Sequence, residues 1–424
     1  MIYGITSYIR TLLIVGVLAL LVYIGHINLF EKSFNEDLNE LYTLLAVCSM
    51  IVTIHYALNW KYIIMPYSLN LHGMFSHNTF TETRSIKTLF LDFFWDKKKI
   101  KLRRLFVDDI KTFALEYTNL ISINLDNYRK AKERMLHYLG LIQEGYEVSI
   151  YPKKSKTVEL VFYKLPNFYE IDFGFFRVGR LFLGKYERGL YYRNFDTIDH
   201  HLVVGESGSG KSNYMHLLNI NFFFNQDSIK KMYMVDLKGG VELNAYSNIE
   251  NVEFVNNIER LDTLLDDIVE DMQKTQEYML KNNIRKNDIF TLIIFDEVGA
   301  VSVYPDKKIR DSILNKLALI SMQGRSSGHI MFLFAQKIDA TILPIQITNN
   351  IQSRVLLKTT SDNNISIIDL KENIRDRITS TEIQDFNKGR AIYKNGLTSE
   401  KNLVQFPFIS DNFLDMTIRN FSKK

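Results

Sequence analysis

The sequence predicts an α/β fold with a parallel-rich sheet, preceded by a small α/β adaptor domain and an N-terminal two-helix transmembrane hairpin. Four stretches carry that prediction. "HLVVGESGSGKSNYMH" (201–216) passes from a short apolar strand through a glycine-rich turn into a helical pattern. "FTLIIFDEVGA" (290–300) is apolar until it delivers two carboxylates at its end, as a strand buried on both faces of a parallel sheet does. Ahead of both lie residues 11–30 and 41–60, which carry no Asp, Glu, Lys or Arg and are each about the 20 residues a helix needs to cross a bilayer.

The hairpin occupies residues 1–60. Its connecting loop, "EKSFNEDLNE", is mostly acidic, whereas Arg10 precedes the first span and Lys61, Lys97, Lys98, Lys99, Lys101, Arg103 and Arg104 follow the second. By the positive-inside rule both termini face the cytoplasm, which makes this a multi-pass protein of the cell membrane. The basic run itself has two readings, a solvated helix face or a contact with anionic lipid or nucleic acid. Residues 61–170 form the adaptor: "FALEYTNLISINLDNYRKAKERMLHYLGLI" (113–142) has helical spacing, and "EVSIYPKKSKTVELVFYKL" reads as two short strands around a "PKKSK" turn. Residues 171–408 form the main domain, which holds the glycine-rich turn and the acid-tipped strand, and 409–424 a short C-terminal tail.

At 424 residues the chain has room for such a division. A formal charge of only +4 excludes overall basicity as the source of a nucleic-acid surface, which must come from local clusters. The lone cysteine, Cys48, excludes an internal disulfide framework and fits a reducing compartment.

Gly205, Glu206, Ser207, Gly208, Ser209, Gly210, Lys211 and Ser212 match G-x-x-x-x-G-K-[ST] in strand-loop-helix context. Glycines let backbone N–H groups turn inward around phosphate oxygens, and the following helix points its positive end at them. Lys211 is expected to reach the β and γ phosphates of ATP, and the Ser212 hydroxyl to ligate Mg²⁺. Asp296 completes the metal site, and Glu297 is placed to polarise the attacking water, which favours hydrolysis over nucleotide storage.

"HHLVVGESGSGKS", "YMVDLKGGVEL", "LIIFDEVGA" and "GRSSGHIMFLFAQKIDATILPIQITNNIQSRVLLKTTSDNNISIIDL" follow one another in the order of the FtsK/SpoIIIE DNA translocase motifs. The chain resembles that family over about residues 180–405. The resemblance implies a RecA-like P-loop ATPase core, a homo-hexameric ring around double-stranded DNA, and an arginine that reaches the ATP of a neighbouring subunit. Arg325 and Arg354 are the candidates for that arginine, with Arg354 preferred. Gln336 matches the γ-phosphate sensor, although Ala335 and Gln336 are adjacent where the family has Ala-Thr-Gln. Asp236 and Lys238 match the family's Asp-Pro-Lys block with Leu237 in place of proline; they couple nucleotide state to a DNA-facing loop or close a turn.

A translocase grips backbone phosphates rather than bases. Lys307, Lys308 and Arg310 are candidates for that contact, against the alternative of a solvated helix start. After the motor about 16 residues remain, too few for the winged-helix DNA reader of chromosome-segregating relatives. Two spans, an adaptor and a bare motor resemble the ConQ-like coupling proteins of Gram-positive conjugative elements. The expected partners are therefore membrane, DNA, a relaxase and conjugation-channel proteins. Chromosome or plasmid segregation, type VII-like protein secretion and a non-catalytic nucleotide switch stand as alternatives.

Overall fold

The computed structural model describes residues 100–107, 110–118, 128, 131–138, 141–153, 157–240, 242–368 and 383–422. The two spans expected over 11–30 and 41–60 lie outside the described residues. Among the described residues, no helix is long and apolar enough to cross a membrane.

The chain divides into two compact units, Met1–Phe106 with Lys111–Lys164, and Val107–Ile110 with Leu165–Lys424. In the first, strands β1 (Ile100–Val107), β2 (Ile110–Thr118), β3 (Glu147–Lys153) and β4 (Thr157–Tyr163) form a sheet of order β1-β2-β4-β3, with helix α1 (Lys132–Tyr138) between β2 and β3 in sequence. Of the helix expected over residues 113–142, Lys132–Tyr138 is helical, whereas "FALEYT" is instead paired as strand β2 with β4. Its large residues, Phe113, Leu115 and Tyr117, alternate with a period of two, which outweighs the looser helical spacing. Lys101, Arg103 and Arg104 likewise belong to strand β1 and not to a helix face. Leu160 and Phe162 of β4, Val148 of β3 and Met135 of α1 are buried.

The second unit is built on β5 (Arg180–Tyr186), β6 (Gly189–Asn194), β7 (His201–Val204), helix α2 (Lys211–Phe224), β8 (Ile229–Val235), β9 (Val252–Val255), α3 (Ile258–Lys281), β10 (Phe290–Phe295), α4 (Gly299–Ser302), α5 (Lys307–Ser327), β11 (His329–Ala335), α6 (Ile345–Thr348), β12 (Ser353–Leu357), α7 (Asp362–Ser366), β13 (Arg390–Lys394), β14 (Lys401–Gln405) and α8 (Asp411–Phe421). Its ten-stranded sheet has the order β6-β5-β14-β13-β12-β7-β11-β10-β8-β9. From β12 to β9 neighbouring strands are parallel, whereas β13, β14, β5 and β6 extend the β12 side antiparallel.

Alternation along each parallel strand supplies both faces with apolar groups. Phe290, Leu292 and Ile294 of β10 and Ile330, Phe332 and Phe334 of β11 join the layer of α2; Ile293, Phe295, Met331 and Leu333 join that of α3 and α5. The helices are shaped to cover these faces. In α3, Asn257 caps the start by accepting from Arg260 N, and Leu261, Leu264, Leu265, Ile268 and Met272 form one buried stripe. Asp306 caps α5 and Gly328, at φ 82°, ends it.

Residues 409–424, expected as a tail, instead contain α8. Phe413, Leu414, Ile418 and Phe421 recur at helical spacing and pack on the core, with the Phe413 and Phe173 rings 4.6 Å apart and Phe421 5.7 Å from Phe223. Burying such side chains outweighs the entropy of ordering one short helix.

Candidate nucleotide-binding and hydrolysis site

β7 lies between β11 and β12, so its C-terminal end opens at a switch in strand order, where ligands bind in open α/β sheets. The glycine-rich loop leaves β7 there. Gly205 N donates to Ala335 O (3.2 Å) and Glu206 N to Lys358 O (3.0 Å), which fastens the loop to the strands on either side. Gly210 is the α2 N-cap in a left-handed conformation (φ 108°), and a Cβ there would lie 2.9 Å from Gly389 N. Only glycine meets both conditions. No side chain caps α2, so its first N–H groups remain available to an anion.

Lys211 Nζ donates to Gly205 O (2.6 Å) and Glu206 O (2.9 Å). Burial lowers the Lys211 pKa, and the nearby Glu297 and Asp296 carboxylates oppose that shift.

Asp296 and Glu297 follow β10. Asp296 N donates to Val235 O (2.9 Å), so the residue sits over the ends of β8 and β10. Burial first, then Asp236, Glu242 and Glu297, push the Asp296 carboxyl up to about 6, against the pull of Lys238. Glu297 is buried and held from three sides: Lys238 Nζ at 3.0 Å, Gln336 N at 3.1 Å and Gly299 N at 3.3 Å. Gly299 makes the third contact possible, because a Cβ there would come within 2.9 Å of Glu297 Oε1.

The other predicted residues divide. Gln336 is present at the site through its main chain, which binds Glu297, while its side chain is exposed. Asp236 closes a turn, accepting from Lys238 N (3.0 Å) and Glu242 N (3.2 Å); Lys238 reaches Glu297. Arg325 closes α5 and Arg354 is the second residue of β12, so both lie toward the amino ends of the strands, away from Lys211. Within one chain neither is brought to the site. The Arg354 guanidinium donates to the carbonyls of Ile351 (2.9 Å), Ile367 (2.5 Å) and Thr348 (2.7 Å), whereas the Arg325 side chain is exposed. Lys307 and Lys308 are exposed in the first turn of α5, and Arg310 donates to Tyr304 O (2.9 Å).

Glu242 escaped sequence reasoning, although it stands in the quoted "GGVEL". It lies 3.4 Å from His216, and hydrogen bonds from His216 and Ser212 lower its carboxyl pKa. His216 in turn meets the Tyr246 hydroxyl at 2.6 Å. Only the fold of the loop after β8 brings it over α2.

The donor set fits Mg²⁺. Among the described residues no trio of His, Cys, Asp or Glu could hold a metal ion by itself. Mg²⁺ does not require one, since it keeps waters and is held by one or two protein oxygens plus phosphates. Burial first and the neighbouring carboxylates second raise Asp296, and a bound cation would offset both by favouring its charged form.

Residues 181–370 match the family model "FtsK/SpoIIIE family". No curated protein matches the chain in sequence. Among solved structures, the fold is similar to the pCW3 conjugation coupling protein TcpA, in its monomer form with ATPγS. The TM-score is 0.53 at 18% identity, over 77% of this chain and 94% of that one. It is also similar to EssC (ATPases 2 and 3) from Geobacillus thermodenitrificans, with TM-score 0.51 at 13% identity, over 61% of this chain and 51% of that one. With the loop, the strand-end acids and the family match in agreement, the chain carries, over residues 181–370, a P-loop ATPase domain of the FtsK/SpoIIIE family.

Proposed function

We propose that the chain is a membrane-anchored, ATP-driven DNA translocase, the coupling protein that delivers relaxase-bound DNA to a conjugation channel. The observation that carries this reading is the convergence of Lys211, Asp296 and Glu297 at one sheet edge, in a chain whose fold extends over 94% of a conjugation coupling protein. Residues 11–30 and 41–60 supply the anchor, with both termini cytoplasmic. The working unit is a homo-hexamer around DNA.

Ser212 and Asp296 would hold Mg²⁺, which neutralises charge across the β and γ phosphates. Lys211 exchanges its contacts with the Gly205 and Glu206 carbonyls for phosphate oxygens. Glu297, fixed by Lys238, Gly299 and Gln336 N, takes the proton of the attacking water. Arg325 or Arg354 of one subunit serves the ATP of the next, where a guanidinium fork suits phosphoryl oxygens. Lys307 and Lys308 open α5, the helix that returns from the strand-end acids, so they stand at the site's end of the sheet and are offered to backbone phosphates.

Fold likeness to EssC favours a second reading, a protein substrate in secretion. ATP hydrolysis by the purified full-length protein, with and without double-stranded DNA, separates the two. DNA is expected to stimulate turnover, and Lys211→Ala and Glu297→Gln to reduce it by about 100-fold or more. Turnover indifferent to DNA overturns the translocase reading and directs the search to protein substrates.

A further inference from the structure

Asn364, in α7, is 1% exposed and lies where the loops after β11 and β12 meet. Its amide uses both ends. Oδ1 accepts from Ile338 N (3.0 Å), while Nδ2 donates to Gln336 O (3.0 Å) and to Thr359 Oγ1 (2.9 Å). The peptide units on either side of Lys337 are therefore clamped by one side chain. Gln336 is also the residue whose N–H reaches both Glu297 oxygens, at 3.1 and 3.3 Å. On the other side, Thr359 Oγ1 is 3.4 Å from Glu206 Oε1, and Thr360 Oγ1 reaches the same oxygen at 2.6 Å. One continuous hydrogen-bonded path thus joins the phosphate loop, the β12 loop, Asn364, Gln336 and Glu297.

We infer that Asn364 is a positioning residue for ATP hydrolysis: by fixing Gln336 it holds the Glu297 carboxylate in its working orientation, and through Thr359 and Glu206 it ties that orientation to the phosphate loop. The inference rests on Glu297 being the group that activates water. A carboxylate must stand within hydrogen-bond reach of the water it serves, and small misplacements are costly. Two of the three groups that hold Glu297 are peptide N–H groups, and one of them, Gln336 N, lies just past Ala335, the last residue of β11. Gly205 N holds the Ala335 carbonyl on one side of Gln336, and Asn364 supplies the donor for the Gln336 carbonyl on the other. An aliphatic side chain of similar size would fill the space but leave Gln336 O and Ile338 N without these bonds.

The experiment compares Asn364→Ala, Asn364→Asp, Glu297→Gln and the double variant Asn364→Ala/Glu297→Gln in the full-length protein. It reads kcat, the Kd of a fluorescent ATP analogue and the thermal unfolding midpoint. Asn364→Asp keeps an acceptor for Ile338 N and removes the donor to Gln336 O and Thr359, so it tests the contact with little change in volume. Positioning predicts that both single Asn364 variants lose roughly 10–100-fold in kcat while the Kd stays within about threefold of wild type. It also predicts that Asn364→Ala adds little to Glu297→Gln, because both act on one group. Wild-type kcat in Asn364→Asp overturns the inference, and so does a Kd that weakens in step with kcat. Additive losses in the double variant overturn the relay through Glu297. Glu297→Gln alone reports separately on the water-activating role, since undiminished turnover there rejects that role whatever Asn364 does.

Discussion

Glu297, the carboxylate proposed to activate water, shows how much of a side chain's surroundings is set by its immediate neighbours. Its carboxylate faces a lysine, the peptide N–H of Gln336 just past β11 and a glycine N–H, so it is buried without being left unpaired. Gly299→Ala places a methyl group against Oε1; the expected result is a roughly tenfold fall in kcat with little change in ATP affinity, read by steady-state kinetics beside nucleotide titration. The arginines make a second contrast. Arg354 is engaged by three carbonyls that would lose their donors on substitution, so Arg354→Ala is expected to lower the unfolding midpoint as well as turnover. Arg325 is exposed, and Arg325→Ala is expected to leave the midpoint within about a degree while turnover of the assembled protein falls. Equal midpoints for the two variants would contradict this difference.

Among the elements, α2 does more than begin with the phosphate loop. Asn221, buried on its inner face, accepts from Phe182 N (2.7 Å) and donates to Phe182 O (3.0 Å), acting as the partner that β5 lacks at that point. The gap arises where the β5–β6 register shifts between Phe182 and Lys185 and where β14 pairs only with Lys185 and Tyr186. One turn later, Asn225 binds Gly179 N (2.6 Å) and Arg180 O (3.2 Å) in the same way. Asn221→Leu keeps the volume but strands two buried peptide groups. A loss of about 2–4 kcal/mol in denaturant unfolding is expected, with the site's residues untouched. This role could not be read from "NINFFFN", which shows a polar residue on an apolar helix but not the strand it serves. The phosphate loop was legible because its chemistry is local, a fixed spacing between glycines, lysine and serine in a turn. Glu242, Asn364 and the Gln336 contact to Glu297 were not, since each depends on loops far apart in sequence meeting over the sheet.

At the scale of the whole molecule, the seam between parallel and antiparallel strands is held by a buried polar network. Arg193 of β6 donates to Asp199 (3.0 Å), Ser353 of β12 (3.0 Å) and the Tyr393 hydroxyl of β13 (2.7 Å). His201 meets the same Tyr393 hydroxyl at 3.1 Å and Asp199 O at 2.7 Å. Next to it, His200 Nδ1 accepts from Met331 N (3.1 Å), a bond only the neutral ring can make. Burial pulls both histidines down to about 4 from 6.5. The unfolded chain therefore binds more protons than the folded one between pH 6.5 and 4. Stability is complete above 6.5 and falls as pH drops toward 4, by at most about 1.4 kcal/mol per pH unit for each histidine. Unfolding midpoints measured from pH 7.5 to 5 are expected to decline, and His200→Asn, which keeps an acceptor but cannot be protonated, to flatten that decline. A parallel decline in the variant would remove His200 from the account.

The phosphate loop, the acid-tipped strand and the apolar runs that bury the central strands on both faces were readable directly from the residues, because these follow from spacing along one segment. Sequence alone misread residues 113–118 as helix and 409–424 as a tail, where a strand partner and a hydrophobic face across the fold decide the outcome. Tertiary structure alone decided which loops meet at the carboxyl ends of the strands. Apart from the short Asn364–Thr359 bond, hydrogen bonds between residues 28 to 154 positions apart hold Glu297, Gln336, Asn364 and Glu206 in one network, and no local pattern can encode such contacts.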